Sequence, residues 1–190
     1  MKRTKIKDRV LPTYTKGEEI FNMVSHIVGG ALGVVALVLC VIFSALHHNV
    51  YGVVASSIYG TSLILLYTMS SIYHGLNPDT KTRTKKIFQI FDHCSIFILI
   101  SGTYTPICLL MLGNTVGWVL FSIVWIAAAT GIVFNAIDLK RFSKLSMACY
   151  IAMGWSIIFA IKPLMSVISS EQFKLLIYGG VAYTLGALIY

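Results

Sequence analysis

Long apolar runs separated by short polar stretches set the pattern of this chain. After a polar, basic beginning over 1–19, apolar runs cover about 20–46, 50–76, 88–112, 115–137, 145–165 and 173–190. At 1.5 Å per residue each run can cross the roughly 30 Å of hydrocarbon in a bilayer, and all are far longer than the ~10 residues of a barrel strand. Lipid offers the backbone no hydrogen-bond partners, so spans of this length are predicted to be helices. The pattern therefore predicts an all-α, polytopic membrane helix bundle with six spans. The first run begins too late and is too long for a cleavable signal peptide, which predicts an uncleaved first span. Pro12 and Gly17 punctuate the beginning, so 1–19 reads as a mobile basic arm preceding a bundle over 20–190.

Composition sharpens this picture. Hydrophobic residues make up 57% of the chain and charged residues 12%, more apolar than a water-soluble core can hide. The formal charge of +8 is not gathered into one surface, which argues against a nucleic-acid partner. Apart from Lys162 and Lys174, the basic residues fall in the arm (Lys2, Arg3, Lys5, Lys7, Arg9, Lys16), the second-to-third connection (Lys81, Arg83, Lys85, Lys86) and the fourth-to-fifth connection (Lys140, Arg141, Lys144). The loops at 47–49 and 113–114 hold no Lys or Arg. This alternation predicts a cytoplasmic N-terminus. The sixth run then heads inward and stops at Tyr190 without a basic end, which predicts that a last helix is missing. Cys40, Cys94, Cys108 and Cys149 lie inside apolar runs, form no C-x-x-C pair and read as packing residues.

Ionisable groups in spans are costly, so each is a functional candidate. Glu18, Asn22 and His26 are spaced i, i+4, i+8, a polar stripe at the entry of the first span. Ser70 and His74 are one turn apart at the exit of the second, Asp92 and His93 open the third, and Asn135 and Asp138 close the fourth. The predicted topology puts all of them at one depth, in the inner leaflet. Several have plain structural readings. Glu18 and Glu19 suit a helix N-terminus, Asn22 and Ser70 can serve helix contacts, His93 points about 100° away from Asp92, and Asp138 beside Lys140 and Arg141 suits a surface ion pair. His74 and Asp92 fit structural roles least, because an imidazole and a carboxylate at matching depth suit metal-ligand or acid–base chemistry. Ser25, Gly29 and Gly33 form a small-residue seam, Pro106 and Pro163 predict kinks, and Trp118 suits an interfacial anchor.

Three segments in order, Glu18-Glu19-Ile20-Phe21-Asn22-Met23-Val24-Ser25-His26, Ser70-Ser71-Ile72-Tyr73-His74 and Phe91-Asp92-His93, resemble the hemolysin III family, the bacterial branch of the progestin and adipoQ receptor family. The resemblance covers essentially the whole chain. It implies a bacterial inner-membrane protein of seven helices, with a zinc ion near the cytoplasmic face held by a histidine of the second helix and two from an H-x-x-x-H motif in the seventh. By that resemblance His74 is a metal ligand, and Ser70 and Asp92 match the serine and aspartate around the metal or its water. No H-x-x-x-H occurs in this chain, so two of the three expected protein ligands are missing.

The family is also similar to alkaline ceramidases and related membrane hydrolases. This implies zinc-dependent hydrolysis of a lipid amide or ester at the inner leaflet, with Asp92 handling the water and Ser70 donating to the oxyanion. Two alternatives are a non-enzymatic receptor or membrane-homeostasis regulator with structural zinc, and a pore-forming hemolysin. A pore needs polar lining along its whole length, and the outer half of the spans offers mainly Ser and Thr.

Overall fold

The computed structural model describes residues 4–77 and 83–189. The predicted loop residue Lys81, together with Lys2, Arg3 and Tyr190, lies outside the described residues. After a 3₁₀ turn at Ile6–Asp8 come α1 (Lys16–Leu46), α2 (Val50–Gly75), α3 (Arg83–Pro106), α4 (Thr115–Asp138), α5 (Ser143–Trp155), α6 (Ile161–Met165) and α7 (Ser170–Ile189). A π-helical turn, Ile107–Leu112, prolongs α3, and a 3₁₀ turn, Ser156–Ala160, joins α5 to α6. Successive long helices pack side by side, α1 on α2, α2 on α3 and α3 on α4. An all-helical bundle is thus present.

Among the described residues five segments are long and apolar enough to cross a membrane: α1, α2, α3 with its π turn, α4, and the broken rod from Ser143 to Met165. The sixth expected span forms as α7, but Glu171, Gln172 and Lys174 polarise its first turns and shorten its apolar stretch. The predicted boundaries differ most at two starts: α3 begins at Arg83, five residues before the expected 88, and α1 begins four before the expected 20. Helix α1 begins at Lys16, because Thr15 and Glu18 form a capping box that carries the helix through Gly17.

Both prolines sit beside irregular backbone. The α-helical path of α3 ends at Pro106 and passes into the π turn. Pro163 cannot donate to Phe159, and Phe159 falls in the 3₁₀ turn that breaks the fifth span.

The core lies among α3, α4 and the fifth span, where Phe97, Tyr104, Val124, Ala128, Tyr150 and Leu164 are buried together. Helix α1 is peripheral and exposes Phe21, Val28, Leu32, Val35 and Phe43, an apolar face suited to lipid. Its Gly29 and Gly33 meet Tyr67 and Leu63 of α2, as the seam predicts, whereas Ser25 is exposed and bonds the Asn22 carbonyl of its own helix. Trp118 is half exposed at the start of α4, as an interfacial anchor requires. Of the cysteines, Cys94 and Cys108 are buried and Cys149 is half-buried, but Cys40 is exposed.

Gly131 of α4 faces the ring of the fully buried Phe97, which leaves no room for a Cβ. Gly131→Val is therefore expected to cost about 1–3 kcal/mol through overpacking. A lowered thermal midpoint in detergent would be the readout, and an unchanged midpoint would mean that Phe97 can swing aside.

Candidate functional site

The starts of α1 and α3 and the end of α2 meet at one end of the bundle, and the meeting point is ionic. Glu19, 4% exposed, is the centre. Its Oε2 lies 2.6 Å from His74 Nδ1, and its Oε1 accepts from Lys85 Nζ at 2.7 Å. Lys85, 2% exposed, also donates to the Leu76 carbonyl at 2.8 Å and stands 5.3 Å from the centre of the Tyr73 ring. One carboxylate thus ties three helices together.

Aromatic rings frame the imidazole. Tyr14, just ahead of α1, sets its ring edge-on to His74 with centroids 5.6 Å apart. His26 lies nearly parallel to His74 at 6.1 Å, and Tyr73 is tilted against it at 4.7 Å. The Tyr14 phenol is pushed above its ordinary value, first by burial and then by the negative charges of Glu19, Asp92 and Glu18. It therefore remains a neutral donor at physiological pH. On its outer side Tyr14 lines a concavity of about 400 Å³ with Gly17, Glu18, Phe21 and Asn22.

The residues singled out from sequence are distributed unevenly around this centre. His74 is in it, and His26 adjoins it. Asp92 is half-buried at the start of α3 and interacts by charge with Tyr14 and His93, while His93 also interacts with His74. Ser70 is buried one turn further into α2, and no hydrogen bond joins it to His74 among the described residues. Asn22 lines the concavity, and its carbonyl is held by the His26 ring. Glu18 leaves the stripe: it is exposed and accepts from Thr15 N at 2.7 Å as the reciprocal half of the cap. The i+8 spacing explains this, since Glu18 and His26 differ by about 80° in direction.

Two further expectations are corrected. Asp138 is not a surface ion pair. It is 1% exposed, and its carboxylate accepts from the backbone nitrogens of Thr4 at 2.8 Å and Arg141 at 3.2 Å. Its neighbour Asn135 is also buried, taking the Ser146 hydroxyl on Oδ1 at 2.5 Å and donating to Tyr150, whose hydroxyl reaches the His93 carbonyl. Nor is the basic arm loose over its described part. Its 3₁₀ turn packs on α3, and Arg9 is buried.

Sequence reasoning missed Glu19, Lys85 and Tyr14 as site residues. A seven-residue spacing was the available signal: Glu19 and His26 on α1, and Lys85 and Asp92 on α3, each share a helix face within about 20°. Lys85 reads as a loop residue in sequence because it sits in a basic run.

Zinc has only a partial fit. His74 has the geometry of a metal-ligating histidine, with Nδ1 on a carboxylate and no partner on Nε2 among the described residues. Among the described residues, however, no three His, Cys, Asp or Glu side chains converge to hold a metal ion. The Lys85 ammonium moreover occupies the second oxygen of Glu19. The described residues by themselves do not complete a zinc site.

Comparison with known proteins agrees with the three helix-end segments. The family model for haemolysin-III-related proteins matches residues 14–190. The chain belongs to the haemolysin-III-related family. This haemolysin-III-related chain is 41% identical to hemolysin-3 of Bacillus cereus over 173 residues, covering 91% of the chain and 78% of that relative. It is 42% identical to a hemolysin-3 homolog of Bacillus subtilis (strain 168) over 177 residues, covering 93% of the chain and 82% of the relative. No solved structure matches it significantly. The family match begins at Tyr14 and so takes in the whole ionic cluster.

A second cavity in this haemolysin-III-related chain, about 410 Å³, opens between α3, the fifth span and α7. Ile107, Trp155, Ile158 and Leu176 line it with Tyr104 and Tyr183, and it contains no carboxylate, imidazole or amine. It can accept hydrocarbon but carries no acid–base pair, so the Glu19–His74–Lys85 cluster is the stronger candidate for chemistry.

Proposed function

We propose that this chain is a membrane-embedded hydrolase of a lipid amide or ester, with His74 as its general base. The N-terminus lies in the cytoplasm in this reading, so the cluster sits at the inner leaflet of a bacterial inner membrane. The alternation of basic and neutral connections supports that orientation.

One observation carries the proposal: the Glu19 carboxylate holds His74 Nδ1 and leaves Nε2 for a water or substrate proton. An imidazole so held keeps one tautomer, and the imidazolium formed on proton transfer is stabilised by the carboxylate. Lys85 donates to the other oxygen of Glu19 and so fixes the carboxylate in place against His74. Water deprotonated at Nε2 attacks the lipid carbonyl, and His74 then returns the proton to the departing amine or alkoxide. The Tyr14 ring borders the imidazole, and Asp92 acts by charge on Tyr14. Zinc, which the family resemblance implies, would find one ligand here in His74 and would supply Lewis acidity; none of these steps depends on it.

Two other readings have specific support. A regulator is favoured by the ionic tie among three helices, which would couple their spacing to the protonation or ligation of His74. A lytic role is favoured by the name hemolysin-3 of the relatives. The discriminating experiment reconstitutes the purified chain in vesicles containing ceramides, N-acyl lipids and diacyl phospholipids, and measures free fatty acid by mass spectrometry alongside release of an enclosed dye. Fatty acid release above that of empty vesicles, without dye loss, is expected. Dye release without cleavage would favour the lytic reading, and neither signal would favour the regulator.

A further inference from the structure

We infer that residues 4–14 form a strap, latched on Asp138, that controls access to His74. The segment is held at both of its ends. At the far end the Thr4 N–H donates to Asp138 Oδ2 at 2.8 Å, a contact spanning 134 positions of sequence. The other oxygen of the same carboxylate accepts from Arg141 N, so Asp138 joins the strap to the turn after α4. Arg9 is buried and within charge range of Asp138. The 3₁₀ turn between them, Ile6–Asp8, rests on α3. At the near end Tyr14 lies edge-on to His74, and Thr15 immediately anchors α1 through its cap. The segment therefore runs from the end of α4 to the start of α1, and its last aromatic ring lies against His74 and also lines the concavity outside.

Its attachment is asymmetric. Lys5, Asp8, Val10, Pro12 and Thr13 are exposed, so apart from Arg9 and the turn on α3 the strap has little burial to hold it. Segments with few buried contacts open locally at a small fraction of the cost of global unfolding. Releasing the Asp138 latch frees one end while α1 and its cap stay fixed, and Tyr14 can then move off the imidazole without disturbing the Glu19 ion pairs. The inference rests on His74 being the group that meets substrate, but its test reads the accessibility of the ring and not turnover. The two can therefore fail separately.

The test is carbethoxylation of His74 by diethylpyrocarbonate in the full chain in lipid, followed by peptide mass spectrometry. The exposed His47 and His48 serve as internal references. Two variants release the latch differently: Asp138→Asn weakens the acceptor, and Thr4→Pro removes the donor without touching the bundle. Loss of one such hydrogen bond is expected to raise the His74 rate about fivefold or more relative to the references. Hydrogen exchange should show the amides of Asp8 and Arg9, which close the 3₁₀ turn, protected in the parent chain and less so in both variants. An unchanged His74 rate despite lost protection would overturn the gating role. An unprotected strap in the parent chain would overturn the docking itself. If Asp138→Asn impairs folding, Thr4→Pro decides alone.

Discussion

Glu19→Ala is expected to destabilise the bundle by about 3–5 kcal/mol, the scale for removing one partner from a buried ion pair. Among the described residues the substitution leaves Lys85 with the Leu76 carbonyl as its remaining hydrogen-bond acceptor at a position 2% exposed, and it takes the acceptor from His74 Nδ1. An ammonium in that position must draw in water, lose its proton or leave, and each route loosens the contact of α2 with α3. The loss should appear as a lower temperature at which the chain ceases to be monodisperse in detergent. Glu19→Gln should cost less, because its carbonyl can still accept from one of the two donors. Removing both charges in Glu19→Leu with Lys85→Met should recover most of the stability, since the desolvation of both ions disappears together. A stability change below about 1 kcal/mol for Glu19→Ala would mean that the pair is water-filled and contributes as a surface pair does.

His74→Gln should have the larger effect on activity and the smaller effect on fold. A neutral glutamine can still place an amide near Glu19, but it cannot carry a proton from water to a leaving group. Turnover of the cleaved lipid is expected to fall about 10²–10⁴-fold, the usual contribution of a positioned general base. The melting temperature should fall less than in Glu19→Ala, because no charged group is left without a counter-ion. Equal losses of turnover and stability in His74→Gln would point to a structural histidine and to the regulator. Asp92→Asn should reduce turnover less, since Asp92 acts on the cluster through charge and through no hydrogen bond to His74 among the described residues.

The helices were legible because lipid imposes a simple rule: an uninterrupted apolar run must satisfy its backbone internally, and length then sets the span. The same rule located the polar groups at one end, where His74 and Asp92 stood out. It said nothing about direction around each helix. Glu18 and Glu19 are adjacent and chemically alike, yet one caps α1 in solvent and the other is the buried centre of the site. Only the 100° between them separates these fates, and it becomes readable once His26 is used as the reference at i+7. Lys85 was hidden differently: counting basic residues for topology treats a lysine in a loop and one a turn inside α3 alike. The docking of Thr4 on Asp138 was not legible at all, since the donor is a backbone N–H whose partner lies at the other end of the fourth span.

The central claim is that Glu19 fixes His74 with its proton on Nδ1 and its lone pair on Nε2. The most direct measurement is nitrogen NMR of the ¹⁵N-histidine-labelled chain in lipid, at a pH where the ring is neutral, with His74→Gln used to assign the signal. The account requires a protonated Nδ1 and an unprotonated Nε2 for His74, with that preference lost in Glu19→Gln. A proton on Nε2, or an even mixture of tautomers indifferent to Glu19→Gln, would contradict it.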